Sequence, residues 1–122
     1  GTDVEIWSVG TMAKIVLEAA DILKSNGISA SVINAEFIKP LDKEKLEKSA
    51  SKYPLIITVE DNMVSGGFGE SVKEYLKGSD LKVINVGWPD SFIEHGTADE
   101  LYKKHGMDAK SIAERIIKEL ER

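Results

Sequence analysis

The stretch LIITVEDNMVSGGFG, residues 55–69, contains the strongest fold signals of this chain. It begins with five apolar or β-branched residues that lack a helical period, which is typical of a strand buried on both faces. Glu60 and Asp61 follow, and we expect the strand to end before them because adjacent charges are costly to bury. A glycine-rich turn at residues 65–69 then leads into a helix predicted for residues 70–77.

The same alternation of strand and helix extends in both directions from this stretch. Further strands are predicted at residues 4–9, 28–34 and 81–86. Further helices are predicted after Thr11, Asp42, Thr97 and Asp108, whose side chains can cap a helix N-terminus. Apolar strands joined by helices favour a three-layer α/β/α fold around a parallel sheet of four strands, for which we predict the order 2-1-3-4. Residues 1–122 are predicted to form one domain.

Two connecting segments are predicted to be irregular because each contains a proline. Residues 37–41 should be extended, since the residue before Pro40 is disfavoured in the helical region. Residues 87–90 should form a loop, and we expect Phe92 to be the buried anchor of the segment that follows it.

Composition excludes several classes of function. Of the 122 residues, 42% are apolar and 30% charged, as in ordinary globular domains, and there is no cysteine for a disulfide, a thiolate nucleophile or a cysteine zinc site. The net charge of -5 makes nucleic acid an unfavourable partner. No apolar run reaches the roughly 20 residues that span a bilayer, and the first residues lack the pattern of a signal peptide. We therefore expect a cytoplasmic protein without a membrane partner.

A doubly wound sheet of this order predicts a ligand crevice where the winding reverses, between the first and third strands. That position lies between the end of the first strand and the loop at residues 60–69. The candidate crevice or interface residues are Gly10, Thr11, Glu60, Asp61, Ser65, Gly66, Gly67, Gly69 and His95.

The glycine turn at residues 65–69 has two interpretations. Free N–H groups at a helix start attract anions, so the turn could bind a phosphate. However, it lacks the lysine of a P-loop and the third glycine of a dinucleotide fingerprint, and Glu60 and Asp61 would repel a phosphate. We favour a structural role, in which the glycines let the strand and the helix pack closely.

Glu60 and Asp61 could bind a hard cation or act as an acid and a base. Neighbours on a strand point to opposite faces, so the two carboxylates would converge only if the chain had already turned. We favour solvated loop acids, or carboxylates that cap a turn.

Neither of the two histidines, His95 and His105, belongs to a recognisable catalytic set. His95 lies in a long loop beside Glu94, and we expect it to have a structural or interface role. His105 lies in the last turn of a helix, where a cation interacts favourably with the helix dipole. No serine, cysteine or second histidine is placed to complete a nucleophilic triad, so the residues predict a domain without a self-contained active site.

The order of these segments resembles the C-terminal domain of the transketolase family of thiamine-diphosphate enzymes. The matching segments are residues 8–12, 32–42, 59–62, 65–69, 87–97 and 106–108. Residues 89–96 read Pro-Asp-x-Phe-Ile-x-His-Gly, which is most similar to the branch that makes 1-deoxy-D-xylulose 5-phosphate, rather than to transketolase proper or to the β subunits of 2-oxoacid dehydrogenases.

The resemblance implies a parent enzyme that condenses pyruvate with glyceraldehyde 3-phosphate, with loss of carbon dioxide, for isoprenoid precursors. Members of the family bind thiamine diphosphate and magnesium through a Gly-Asp-Gly motif and a glutamate on two other domains, and neither element maps onto this chain. The resemblance thus implies no catalytic, cofactor-binding or metal residue here, and a domain that supports a homodimer. It also implies one further antiparallel strand before Gly1, without which a sheet edge would be open to self-association.

Three functions follow from these observations. The first is a non-catalytic assembly domain of a thiamine-dependent transferase, either of the deoxyxylulose-phosphate branch or of transketolase proper. The second is a small-ligand or regulatory domain that uses the predicted crevice. The third, a flavodoxin-like redox carrier, is disfavoured because the loop after Gly10 lacks a hydroxyl-rich phosphate cradle.

Overall fold

A computed structural model describes residues 2–35, 42–89 and 95–121 of the chain. The strands are β1 (Val4–Val9), β2 (Ala30–Ala35), β3 (Leu55–Met63) and β4 (Lys82–Trp88). The helices are α1 (Ala13–Ser25), α2 (Lys43–Lys52), α3 (Phe68–Tyr75), α4 (Ala98–Lys104) and α5 (Ala109–Leu120), and a short 3₁₀ turn, Gly10–Met12, joins β1 to α1.

The four strands form one parallel sheet in the order β2-β1-β3-β4, which confirms the predicted topology. The register places Val9, the last residue of β1, beside Ala35 of β2 and Glu60 of β3. β3 and β4 continue beyond this point, as far as a pairing of Met63 with Trp88. The two strands therefore project past the carboxyl ends of β1 and β2.

Each face of the sheet is covered by helices, because successive strand residues are apolar on both sides. One face packs against α1 and α5, with a core of Val4, Ile6, Met12, Val16, Ala19, Leu23, Leu55, Ile57, Val59, Ile84, Val86, Met107, Ile112, Ala113 and Ile116. The other face packs against α2 and α3, with a core of Trp7, Val9, Leu46, Ile56, Phe68, Val72 and Leu76. The sheet is thus the middle layer of three, as predicted.

Three of the four predicted helix caps are confirmed. The carboxylates of Asp42 and Asp108 and the hydroxyl of Thr97 each accept a hydrogen bond from the backbone N–H three residues later. The prediction for Thr11 is wrong. Thr11 lies within the 3₁₀ turn, Met12 is the residue that precedes α1, and the Thr11 hydroxyl bonds to Asp61 instead.

The predicted end of β3 is also wrong. The strand continues through Glu60 and Asp61 to Met63, and Glu60 is fully buried. Burial of the carboxylate is compensated by two backbone N–H donors at the start of α3, which the sequence pattern does not reveal. α3 correspondingly begins two residues earlier than expected, at Phe68.

Smaller differences concern the neighbouring strands. β2 begins at Ala30 rather than at Ile28, and Gly87 and Trp88, predicted to be in a loop, belong to β4 because they continue its pairing with β3. The predicted connector at residues 37–41, Asp90 and the expected anchor Phe92 lie outside the described residues. None of the described helices is long and apolar enough to cross a membrane.

Candidate functional site

The predicted crevice lies at the carboxyl ends of β1 and β3, where the topology reverses. Gly10 and Thr11 follow β1, and Glu60 and Asp61 are consecutive residues of β3 at the same level of the sheet. Because strand neighbours point to opposite faces, Glu60 bonds to α3 on one side and Asp61 bonds to Thr11 on the other. The two carboxylates therefore do not converge on a shared ligand.

Glu60 satisfies the N-terminus of α3. Its Oε1 accepts a hydrogen bond of 3.0 Å from the N–H of Phe68, and its Oε2 accepts one of 2.7 Å from the N–H of Gly69. A helix N-terminus carries partial positive charge, so a carboxylate in this position is held both by hydrogen bonds and by the helix dipole. Glu60 is therefore not solvated, and of the two expectations for this carboxylate the one that holds is that it caps the turn.

The glycine turn allows Glu60 to reach α3. A Cβ atom on Gly67 would lie 2.7 Å from the carbonyl oxygen of Met63 and would overlap the Glu60 carboxylate. A Cβ atom on Gly69 would overlap the hydroxyl of Thr58 and lie 2.6 Å from Oδ1 of Asn85. These contacts confirm the structural interpretation of the turn, in which the glycines permit close packing of helix on strand.

The remaining residues of the turn are at the surface. Gly66 has a φ of 74°, in the left-handed region that glycine adopts without strain, and Ser65 is exposed. The helix that follows them already binds a carboxylate of its own chain. A phosphate at this turn would have to displace Glu60 or approach it against charge repulsion, so the residues do not fit an anion site.

Asp61 accepts hydrogen bonds from three separate elements. Its Oδ1 receives the indole N–H of Trp88 at 2.7 Å, and its Oδ2 receives the hydroxyl of Thr11 at 2.9 Å and that of Tyr102 at 3.3 Å. Asp61 is half-buried. Instead of facing an open crevice, this carboxylate connects the 3₁₀ turn, β4 and α4.

Aromatic rings complete this cluster. The rings of Trp88 and Tyr102 stack with their centroids 5.4 Å apart, and His105 packs edge-on against Trp88 at 5.6 Å. Sequence analysis did not assign Trp88 or Tyr102 to the site. The one available signal was that an indole N–H and a phenol O–H need partners when partly buried. His105 lies at the C-terminal end of α4, as predicted, and also contacts Trp88.

Ionisation of Tyr102 should make the stability of the fold depend on pH in the alkaline range. Burial raises the pKa of Tyr102, and the charge and the hydrogen bond of Asp61 raise it further. Since the folded-state pKa lies above the unfolded one, the neutral phenol stabilises the fold fully below about pH 10, and this stabilisation is lost as the pH rises through the folded-state pKa. We expect Tyr102→Phe to make the urea midpoint fall less steeply between about pH 9 and about pH 11.

The control for this measurement concerns Tyr75, whose pKa is also raised, first by its hydrogen bond to Glu47. Urea midpoints should therefore be compared in a Tyr75→Phe background, so that the difference reports Tyr102 alone. An alkaline slope that is identical with and without the Tyr102 hydroxyl would contradict the prediction.

His95 is the last of the candidate residues to be placed. It is exposed and lies two residues before Thr97, the N-cap of α4. Its expected structural or interface role stays a prediction.

The resemblance implies thiamine diphosphate and magnesium as the groups bound by the parent enzyme. In residues 2–35, 42–89 and 95–121, no group of three or more histidine, aspartate or glutamate side chains is arranged to hold a metal ion. At the glycine turn, the backbone N–H groups of Phe68 and Gly69 are hydrogen-bonded to Glu60 and are not open to a diphosphate. The described residues therefore do not fit this cofactor.

Comparison with known proteins identifies relatives along nearly the whole chain. The chain is 40% identical over 119 residues to the 1-deoxy-D-xylulose-5-phosphate synthase of Caldanaerobacter subterraneus subsp. tengcongensis, covering 96% of this chain and 19% of that protein. It is 42% identical over 122 residues to the protein of the same name from Heliobacterium modesticaldum, covering 98% of this chain and again 19% of the relative. The chain thus spans about a fifth of the length of these relatives.

Solved structures agree with this similarity. A chain described as "Split gene transketolase, inactive beta4 tetramer" superposes with a TM-score of 0.86 at 35% identity, over 99% of this chain and 39% of that chain. A transketolase from Pichia stipitis superposes with a TM-score of 0.67 at 22% identity, over 98% of this chain and 16% of its own, which supports the fold alone. The profile of the family "Transketolase, C-terminal domain" matches residues 1–112. The chain therefore belongs to the transketolase C-terminal domain family.

Proposed function

We propose that residues 1–122 form the C-terminal assembly domain of a thiamine-diphosphate-dependent transferase, most similar to 1-deoxy-D-xylulose-5-phosphate synthase, and that they carry out no chemistry themselves. The proposal rests on one observation. The chain is 40% identical to a synthase and corresponds to only 19% of the length of that protein. In the whole enzyme, pyruvate and glyceraldehyde 3-phosphate would be condensed for isoprenoid precursors by residues elsewhere. Thiamine diphosphate and magnesium would likewise be bound elsewhere.

The geometry of the candidate site supports an assembly role over a catalytic one. The carboxylate of Glu60 accepts hydrogen bonds from the N-terminus of α3, and the carboxylate of Asp61 accepts hydrogen bonds from donors on three elements. Both carboxylates therefore stabilise the domain and are not available to polarise a substrate. The exposed candidates Gly10, Thr11, Ser65, Gly66 and His95 are proposed as contacts with the rest of a cytoplasmic homodimer.

Relatives favour the synthase over transketolase proper. The two synthases are 40% and 42% identical to the chain, compared with 35% for the split-gene transketolase and 22% for the transketolase of Pichia stipitis. The alternative of a small-ligand or regulatory domain is not favoured, because Thr11 and Asp61, which would face such a ligand, are hydrogen-bonded to each other.

Isothermal calorimetry tests whether the chain binds a cofactor or substrate alone. We expect no heat of binding when thiamine diphosphate with magnesium, pyruvate or glyceraldehyde 3-phosphate is titrated into the isolated chain. The full-length synthase of Caldanaerobacter subterraneus serves as the control that should bind the cofactor. Saturable binding of any of these ligands at micromolar concentration would contradict the proposal and favour the regulatory alternative.

A chimera tests the assembly role directly. This chain would replace the homologous segment of the Caldanaerobacter synthase, and a matched variant would lack that segment. We expect the chimera to retain the oligomeric state and the synthase activity of the parent, and the deletion variant to lose both. A deletion variant that keeps its mass in solution and its activity would show that the segment is not needed for assembly.

A further inference from the structure

We propose that Asp61 is a positioning residue that latches α4 onto the carboxyl end of the sheet. The inference goes beyond the assembly role and does not depend on it. It follows from a contrast between the ways in which the helices are held. α1, α2, α3 and α5 each contribute fully buried residues, whereas α4 contributes only the partly buried ring of Tyr102 to a core. Burial of apolar surface, the usual force that holds a helix in place, is therefore weak for α4.

Tyr102 is the residue of α4 that contacts Asp61 and Trp88. Its hydroxyl donates to Oδ2 of Asp61, and its ring stacks on Trp88, which itself donates to Oδ1 of the same carboxylate. Asp61 thus fixes both partners of the stack: it orients the indole from one side and holds the phenol from the other. Hydrogen bonds to an ionised acceptor are stronger than neutral ones, so this carboxylate is a polar attachment of the helix.

A pivot is present at the C-terminal end of α4. Gly106 has a φ of 70°, and Met107 is fully buried and donates its N–H to the carbonyl oxygen of Tyr102 at 2.7 Å. Met107 therefore anchors the chain directly after the helix. Thr97 and Glu100 form a capping box, so the helix keeps its own N-terminus when it moves.

Glu60 and Asp61, two consecutive residues of β3, hold helices on opposite faces of the sheet. Glu60 holds α3 through backbone N–H groups, and Asp61 holds α4 through side chains. The two attachments differ in consequence. α3 also buries Phe68 and Val72, whereas no residue of α4 is fully buried.

Hydrogen exchange of the whole chain, resolved by NMR or mass spectrometry, tests the latch. In Asp61→Ala, we expect the amides of α4 to exchange at least about tenfold faster than in the wild type, since loss of a charge-assisted hydrogen bond shifts an opening equilibrium by this factor or more. The slow amides of β1 and α5 should keep their wild-type rates. Glu18→Gln, which changes an exposed carboxylate on α1, is the control and should leave α4 unchanged.

If Asp61→Ala does not fold, Tyr102→Phe provides a second test of the proposal. It removes only the hydroxyl and retains the ring stack, so α4 should exchange several-fold faster than in the wild type. Unchanged exchange of α4 in the variant that folds would overturn the proposal. Equal acceleration of β1, α5 and α4 would overturn it as well, because Asp61 would then stabilise the whole domain instead of latching one helix.

Discussion

Glu60→Gln is expected to lower the free energy of unfolding by about 3 kcal/mol, since a buried anion is lost from a helix N-terminus. The amide oxygen of glutamine can still accept from one of the two N–H groups, Phe68 or Gly69. Its NH₂ group would then face the other N–H, and that donor would be left unsatisfied in a fully buried site. Urea unfolding monitored by circular dichroism gives the change, provided that the slope with denaturant is unchanged.

Glu70→Gln provides the matched control for this substitution. Glu70 lies in the first turn of the same helix but is exposed, so its carboxylate interacts with the same dipole through water. We expect it to cost at most about 1 kcal/mol, in the range of exposed charge–dipole interactions. Equal shifts of the two urea midpoints would show that burial and direct hydrogen bonding at Glu60 add nothing.

Gly69→Ala is expected to destabilise the domain by about 2–3 kcal/mol, although alanine is the better helix former by roughly 1 kcal/mol. A loss of stability would show that steric overlap outweighs helix propensity, and a gain would show the opposite. A Cβ atom at this position would overlap the hydroxyl of Thr58 and come within 2.6 Å of Asn85 Oδ1, two atoms that are hydrogen-bonded to each other across β3 and β4. Relief would require α3 to move away from the sheet, which would also stretch its bonds to Glu60.

Gly96→Ala is the control for a glycine without such contacts. A Cβ atom on Gly96 would lie 3.7 Å from the nearest side-chain atoms, which is an ordinary van der Waals distance. Its thermal midpoint should remain close to that of the wild type. A Gly69→Ala variant that is as stable as the wild type, or more stable, would contradict the close packing of α3 on β3.

These two predictions concern the part of the chain where sequence reasoning was both most useful and most often wrong. The apolar run at residues 55–59 was enough to identify a buried strand, and the glycines were enough to identify a close approach. The burial and the hydrogen-bond partners of the Glu60 and Asp61 carboxylates could not be predicted in the same way. Whether a buried charge is tolerated depends on donors that come from elsewhere in the chain, and Glu60 finds them eight and nine residues away.

Asp61 illustrates the same limit over longer distances. Its partners Thr11, Trp88 and Tyr102 lie 50, 27 and 41 residues away in sequence. No local pattern connects these positions, because they meet only where β1, β3 and β4 end at one edge of the sheet. At this edge, where the topology predicts a crevice, Asp61 is hydrogen-bonded to side chains of its own chain.

The sequence by itself determined the alternation of strands and helices, the parallel sheet, its order 2-1-3-4 and three of the four helix caps that it predicted. These features follow from apolar periodicity and short-range hydrogen bonding, which are local properties of the chain. Only the tertiary structure decided that Glu60 is buried, that β3 continues to Met63 and that Asp61 joins three elements. The physical reason is that the cost of burying a polar group depends on the partners that folding brings to it.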